Sequence, residues 1–198
     1  FVLLLFIMLA SIGMQVSFPY MIVYLENYVG ITKGEFSIIG GAVMLGSAAL
    51  AIPFGLLADR WRKRAMIAIA LVLSSLGGVV FSFVRSLPLL ALTGLVWQAF
   101  SVAGSIASVA WLKDLLPRQS RGKFLGIRMI FWIAIPMVIG PAIGSALIQN
   151  LGIPTMSNGE AGFIPVPIIF QVGSIISLLG LIPLALIKEK KGKALVTD

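Results

Sequence analysis

Six apolar runs, each about as long as a bilayer is thick, decide what this chain can fold into. About 20 apolar residues cross the hydrocarbon core as a helix. The runs extend from Phe1 to about Tyr24, Phe36 to Leu57, Ala65 to Val84, Pro88 to Leu112, Phe124 to Gln149 and Val166 to Ile187. They are continuously apolar, without the alternation a barrel strand needs. The expected fold is all-α, a polytopic membrane protein of six transmembrane helices. Composition agrees. Hydrophobic residues make up 59% of the chain and charged residues 11%, whereas a soluble domain is nearer half and a quarter.

The loops predict an orientation. Arg60, Arg62, Lys63 and Arg64 lie between the second and third runs. Lys113, Arg118, Arg121 and Lys123 lie between the fourth and fifth, and Lys188, Lys190, Lys191 and Lys193 follow the sixth. The opposite loops hold only Lys33 and Arg85. Basic loops stay on the cytoplasmic side, so a plasma-membrane protein with both termini cytoplasmic is expected. The net charge of +8 is then a topogenic asymmetry, and no nucleic-acid partner is expected. The polar, Gly/Pro-rich loop from Asn150 to Pro165 reads as a connector on the outer side. Phe1 opens the chain inside an apolar run without Met, so residues upstream are expected.

The chain has no Cys and no His, which removes disulfides, thiolate chemistry, the usual general base and the commonest metal ligand. No enzyme activity, metal or cofactor is expected. Asp59 needs a separate account, because positive-inside anchoring explains the basic residues around it but not the acid. Gly55 lies one helical turn before it, where a missing side chain permits close helix approach. A carboxylate there is placed to meet an arginine or a helix N-terminus of a neighbouring span. Arg128, at the cytoplasmic edge of the fifth run, is the expected partner, with snorkelling to a phosphate as the alternative.

The stretch "GLLADRWRKR", Gly55 to Arg64, resembles the signature loop of the major facilitator superfamily: Gly, three residues, Asp-Arg, one residue, Gly, then basic residues. Arg62 stands where the second Gly is usual. "KDLLPRQSRGKFLGIR", Lys113 to Arg128, resembles the element the family carries between its fourth and fifth spans. The resemblance covers the whole chain. It implies one half of a twelve-helix transporter, built as a 3+3 inverted repeat, with repeats at 1–84 and 85–187 and a cytoplasmic tail at 188–198. "GMQVSFPYMIVYLENYVG" is similar to the seventh helix of glycoside–pentoside–hexuronide-type sugar:cation symporters, and "RMIFWIAIPMVIGPAIGSAL" to their eleventh, which implies a C-terminal half. "GPAIGS", Gly140 to Ser145, partly resembles the Gly-Pro antiporter motif of a fifth helix, which keeps the N-terminal half open.

The family architecture implies that the first, second, fourth and fifth spans line the cavity and the third and sixth support them. Candidate substrate contacts are then Gln15, Tyr20 and Tyr24 in the first span, Trp97 and Gln98 in the fourth, and Trp132 in the fifth. An aromatic beside an amide suits a sugar ring, apolar face on indole and hydroxyls on amide. Pro19 and Pro136 mark breaks in two cavity-lining helices. Tyr24 and Trp111 also read as interface anchors. Gly55, Asp59, Arg60, Arg64 and Arg128 form a candidate conformational latch. No Asp or Glu lies mid-span, so a coupling cation, proton or sodium, is expected to bind in the missing half. The expected partners are a small polar solute, lipid, and a second six-helix half or a copy of this chain. A drug or metabolite exporter and a non-transporting six-span scaffold are the alternatives.

Overall fold

A computed structural model describes residues 2–60, 62–115, 121–157 and 160–187, with the backbone alone at 58–60, 115, 121, 123, 157 and 160. Six helices are long and apolar enough to span a bilayer: α1 (Val2–Val29), α2 (Lys33–Leu57), α3 (Lys63–Phe81), α4 (Leu87–Asp114), α5 (Phe124–Leu151) and α6 (Ile168–Leu186). They match the six apolar runs to within a few residues at each end, except that α1 continues five residues past Tyr24.

Local chemistry sets the helix ends. The helix begun by α1 stops at Gly30, whose φ of 87° is a left-handed conformation that glycine adopts without penalty. Thr32 and Glu35 then form a capping box for α2. The Thr32 amide and hydroxyl donate to Glu35 Oε2 at 2.9 and 2.8 Å, and the Glu35 amide donates to Thr32 Oγ1 at 3.2 Å. At the other end the helical backbone of α2 continues to Arg60. Arg62 is extended, at φ −63° and ψ 112°, so this turn does not need the glycine that usually stands there.

The helix pairs that pack most closely are α1 with α5 and α6, α4 with α2 and α3, and α3 with α6. Exchanging α1 for α4, α2 for α5 and α3 for α6 maps this set onto itself. Lipid offers little hydrophobic drive for such contacts, so small residues let backbones approach. A Cβ on Gly140 of α5 would lie 2.4 Å from Gln15 Cβ of α1. A Cβ on Gly77 of α3 would lie 3.0 Å from Trp97 Cα of α4.

Two apolar clusters stack along the bundle. One, at the basic end, joins Leu3, Phe6, Met66, Ile67, Trp111 and Leu184. The other, at the opposite end, joins Tyr24, Leu25, Phe81, Leu90, Ile148 and Phe170. Trp111 is therefore a core residue rather than an interface anchor. The segment after α5 departs from the expected connector. It folds into an antiparallel hairpin of β1 (Ile153–Ser157) and β2 (Glu160–Ile164), with Ser157 paired to Glu160. The two residues between them are Asn158 and Gly159, the dipeptide that most favours a two-residue hairpin loop.

Candidate functional site

A cavity of about 260 Å³ lies between the two apolar clusters. Its walls come from α1, α3, α4, α5 and α6. Nine serines line it: Ser11 and Ser17 of α1, Ser74 and Ser75 of α3, Ser101, Ser105 and Ser108 of α4, and Ser174 and Ser177 of α6. On α4 the spacing of four then three residues puts the three hydroxyls on one face. Several hydroxyls donate to carbonyls of their own helix, as Ser101 does to Trp97 O at 2.9 Å and Ser74 to Leu71 O at 3.0 Å. Ser177 instead crosses to Ala10 O at 3.2 Å. Each such hydroxyl keeps acceptor lone pairs.

Trp97, Gln98, Trp132 and Arg128 are in the wall. Helix α5 has a π-helical turn at Ile130–Ala134, just before Pro136, whose ring supplies no N–H to the ladder. Within this widened stretch the Arg128 guanidinium carbon stands 4.4 Å from the centre of the Trp132 ring. Arg128 is 7% exposed. It lies one helical turn after Phe124, the first residue of α5. Among the described residues it has no ion pair, and the expected pairing with Asp59 falls on a side chain outside them. The Arg60 side chain lies outside them as well.

The remaining candidates are placed elsewhere. Tyr24 is fully buried in the cluster at the hairpin end. Its hydroxyl donates to Ser82 O at 2.8 Å, and its ring stacks on Tyr28 at 5.2 Å and meets Phe170 edge-on at 4.9 Å. Those contacts make Tyr24 a packing residue. Tyr20 donates to Pro141 O at 2.8 Å across the α1–α5 crossing, and Gln15 sits at the same crossing over Gly140. At Pro19 the helix tightens into a 3-10 turn over Phe18–Tyr20. Helices α3 and α6, expected as supports, contribute four of the nine serines. The sequence signal for them was "SSLGG", Ser74 to Gly78, small polar residues on a span that otherwise reads as featureless.

A second, apolar cavity of about 80 Å³ lies towards the hairpin end, between Met14, Phe18, Met21, Phe36 and Phe81, and shares Trp97 and Gln98 with the first. Among the described residues, no Asp or Glu lines either cavity.

At the basic end, Lys63 pairs with Asp114, tying α3 to α4. Arg64 donates to the carbonyls of Ile187 and Ala185, both at 2.9 Å, which satisfies orphan acceptors at the end of α6. Among the described residues Gly55 does not serve close packing, since no atom of a neighbouring helix lies within 4 Å of where its Cβ would be. Glu26, at the hairpin end, pairs with Lys33 at 3.6 Å in an exposed position, where such a pair adds little stability.

A family model described as Major Facilitator Superfamily matches residues 3–197. The inner membrane transport protein YajR of Escherichia coli (strain K12) is 31% identical over 145 residues, covering 68% of this chain and 30% of that protein. The uncharacterized MFS-type transporter YdeE of the same organism is 27% identical over 152 residues, 74% of this chain and 37% of that protein. The MFS-type efflux transporter pyiT of Pyricularia grisea is 34% identical over 132 residues, 64% of this chain and 22% of that protein. The chain thus spans between 22% and 37% of the length of these relatives.

Proposed function

This chain belongs to the major facilitator superfamily, and from that premise we propose that it is one six-helix half of a secondary transporter whose solute is small, polar and hydroxylated, of the sugar class. The observation that carries the reading is a serine-lined cavity bounded by Trp97, Gln98 and Trp132 between two dry cores. Interior positions in a lipid-embedded bundle are ordinarily apolar or interhelical glue. Nine hydroxyls around a void instead suit a solute that sheds water for protein partners.

Alternating access is then a rocking of this half against a second one around the cavity. The repeats are 1–84 and 85–187, and the exchange symmetry of the helix pairs supports that division. The faces of α2 and α5 that this chain leaves bare receive the second half. Among the described residues, no atom of a neighbouring helix lies within 4 Å of a Cβ built on Gly40, Gly41 or Gly55, and the length of the relatives accommodates six more spans. The first and fifth spans favour the C-terminal position by resemblance, while Gly140-Pro141 and Gly144 favour the N-terminal one. With no acid among the described residues lining either cavity, the carboxylate for a coupling proton or sodium belongs to the second half, and the transport mode is symport. The basic end faces the cytoplasm across the plasma membrane, and Asp59 with Arg60 and Arg64 latches the outward-open state there.

A second reading is export of an apolar metabolite. The small cavity beside Met14, Phe18 and Met21 favours it, as does a relative named as an efflux transporter. Counterflow of labelled sugars, sugar acids and sugar phosphates into proteoliposomes holding the intact protein separates the two. Saturable sugar exchange that falls at least about tenfold in Gln98→Ala supports the first reading, because a site built to hydrogen-bond hydroxyls loses that discrimination with its partner. Exchange of apolar amines alone, insensitive to Gln98→Ala, supports the second. No exchange of any solute favours a scaffold.

A further inference from the structure

We propose that Arg128 is an anion-binding residue of the cavity, and that the transported solute carries a carboxylate or phosphate that docks on it. The inference deepens the transport reading and rests on it, because it requires the cavity to hold water and solute.

The first support is an imbalance of charge. Arg128 is 7% exposed and lines the cavity, and among the described residues no Asp or Glu lines it. Every described acidic side chain is engaged elsewhere. Glu26 pairs with Lys33, Glu35 caps α2 through Thr32, and Asp114 pairs with Lys63. Charged groups at membrane depth are costly and mark function by default, normally with a partner.

The second support is unmet hydrogen bonding. Among the described residues, the buried side-chain atoms without a partner are Ser75 Oγ and Arg128 Nε. Both residues line this one cavity. Buried polar atoms are nearly always satisfied, so two orphans around a void point to an occupant that supplies acceptors.

The third is the geometry of the guanidinium. Trp132 covers one of its faces at 4.4 Å. The N–H donors of an arginine radiate in its plane, so they stay free to meet a planar carboxylate or a phosphate edge in bidentate fashion. Trp97 and Gln98 in the same wall suit the hydroxylated remainder of such a solute. A neutral sugar would leave Arg128 uncompensated. A hydroxylated acid or a phosphorylated polyol would not.

Collisional quenching of Trp132 tests this without knowing the solute. The intact protein is titrated with iodide, caesium and neutral acrylamide, and the difference from Trp132→Phe isolates the Trp132 signal. An anion site concentrates iodide beside the ring, so iodide quenching exceeds caesium quenching by on the order of tenfold. That preference disappears in Arg128→Gln and persists in Arg128→Lys, with acrylamide quenching unchanged in both. Relief of iodide quenching by acetate or by inorganic phosphate identifies the oxyanion. If acrylamide quenches but iodide does no better than caesium in the parent protein, Arg128 is already neutralised by Asp59 or by the second half, and the proposal is overturned while the cavity stands. If acrylamide also fails to reach Trp132, the cavity is dry and both readings fall. The comparison within the parent protein decides the matter even if Arg128→Gln does not fold.

Discussion

Gly13 of α1 and Gly173 of α6 face each other backbone to backbone: a Cβ on Gly13 would lie 2.2 Å from the Gly173 carbonyl oxygen, and one on Gly173 would lie 2.4 Å from that of Gly13. Either Gly→Ala change must push the helices apart, because the obstacle is main chain. Overpacking of this kind costs about 1–3 kcal/mol. Gly13→Ala is predicted to lower the thermal unfolding temperature in detergent, and Gly13→Val to lower it further. Unchanged melting in both variants would show that the helices are not this close.

Gly55→Leu is predicted to leave the stability of this chain's own packing within about 0.5 kcal/mol, since nothing lies within 4 Å of the site. Transport by the intact protein is predicted to fall, because the new side chain meets the second half. Melting temperature and counterflow rate measured on the same preparation check both parts. Full transport in Gly55→Leu would place the partner surface elsewhere.

Tyr24→Phe removes a hydroxyl that donates to Ser82 O from a fully buried ring. The expected loss is about 0.5–1.5 kcal/mol, seen as a lower melting temperature, with the apparent affinity for solute unchanged. A selective loss of affinity at unchanged stability would return Tyr24 to the solute contacts.

Arg64→Ala frees two carbonyls at the end of α6. With Arg64 only partly buried, the cost is about 1 kcal/mol. Amide hydrogen exchange is predicted to accelerate over residues 183–187 and not at the hairpin end. Uniform exchange rates in parent and variant would remove this staple from the account.

How far the sequence carried these conclusions depends on what each feature needs. Span-length apolar runs follow from the hydrocarbon thickness alone, so all six helices were legible from Phe1 to Ile187. The hairpin was legible too, in Asn158-Gly159 between residues with strand potential, but a loop reading of the polar segment passed over it. Which side of a span faces inward is a tertiary fact. Tyr24 and Trp97 look alike as aromatics on apolar spans, yet one fills a core and the other edges a cavity. Arg128 was legible as a residue near the start of the fifth run, but a hydropathy boundary does not register the π-helical turn at Ile130–Ala134 or the tryptophan one turn on, beside which its guanidinium enters a cavity wall. The serines of α3 were passed over because Ser and Gly together read as packing.

Asp59→Asn is predicted to shift the cavity's accessibility from one side of the membrane to the other, as expected if that acid latches one state. A thiol-reactive probe added on either side of sealed vesicles reads the shift through a cysteine placed at Ser101. Equal labelling from both sides, in variant and parent alike, would dismiss the latch.

The transport reading requires a water-filled polar cavity inside a lipid-embedded bundle. This chain contributes no cysteine, so a single introduced thiol is a clean reporter once any others in the intact protein are replaced. Ser105 lines the cavity, and Leu76 is 54% exposed on the outer surface of α3. The rate of modification by a membrane-impermeant methanethiosulfonate, compared between Ser105→Cys and Leu76→Cys in native membranes, tests the claim most directly. Rapid reaction at Ser105→Cys, slowed by solute, with almost none at Leu76→Cys is the predicted result. Equal, near-zero rates at both positions would contradict it.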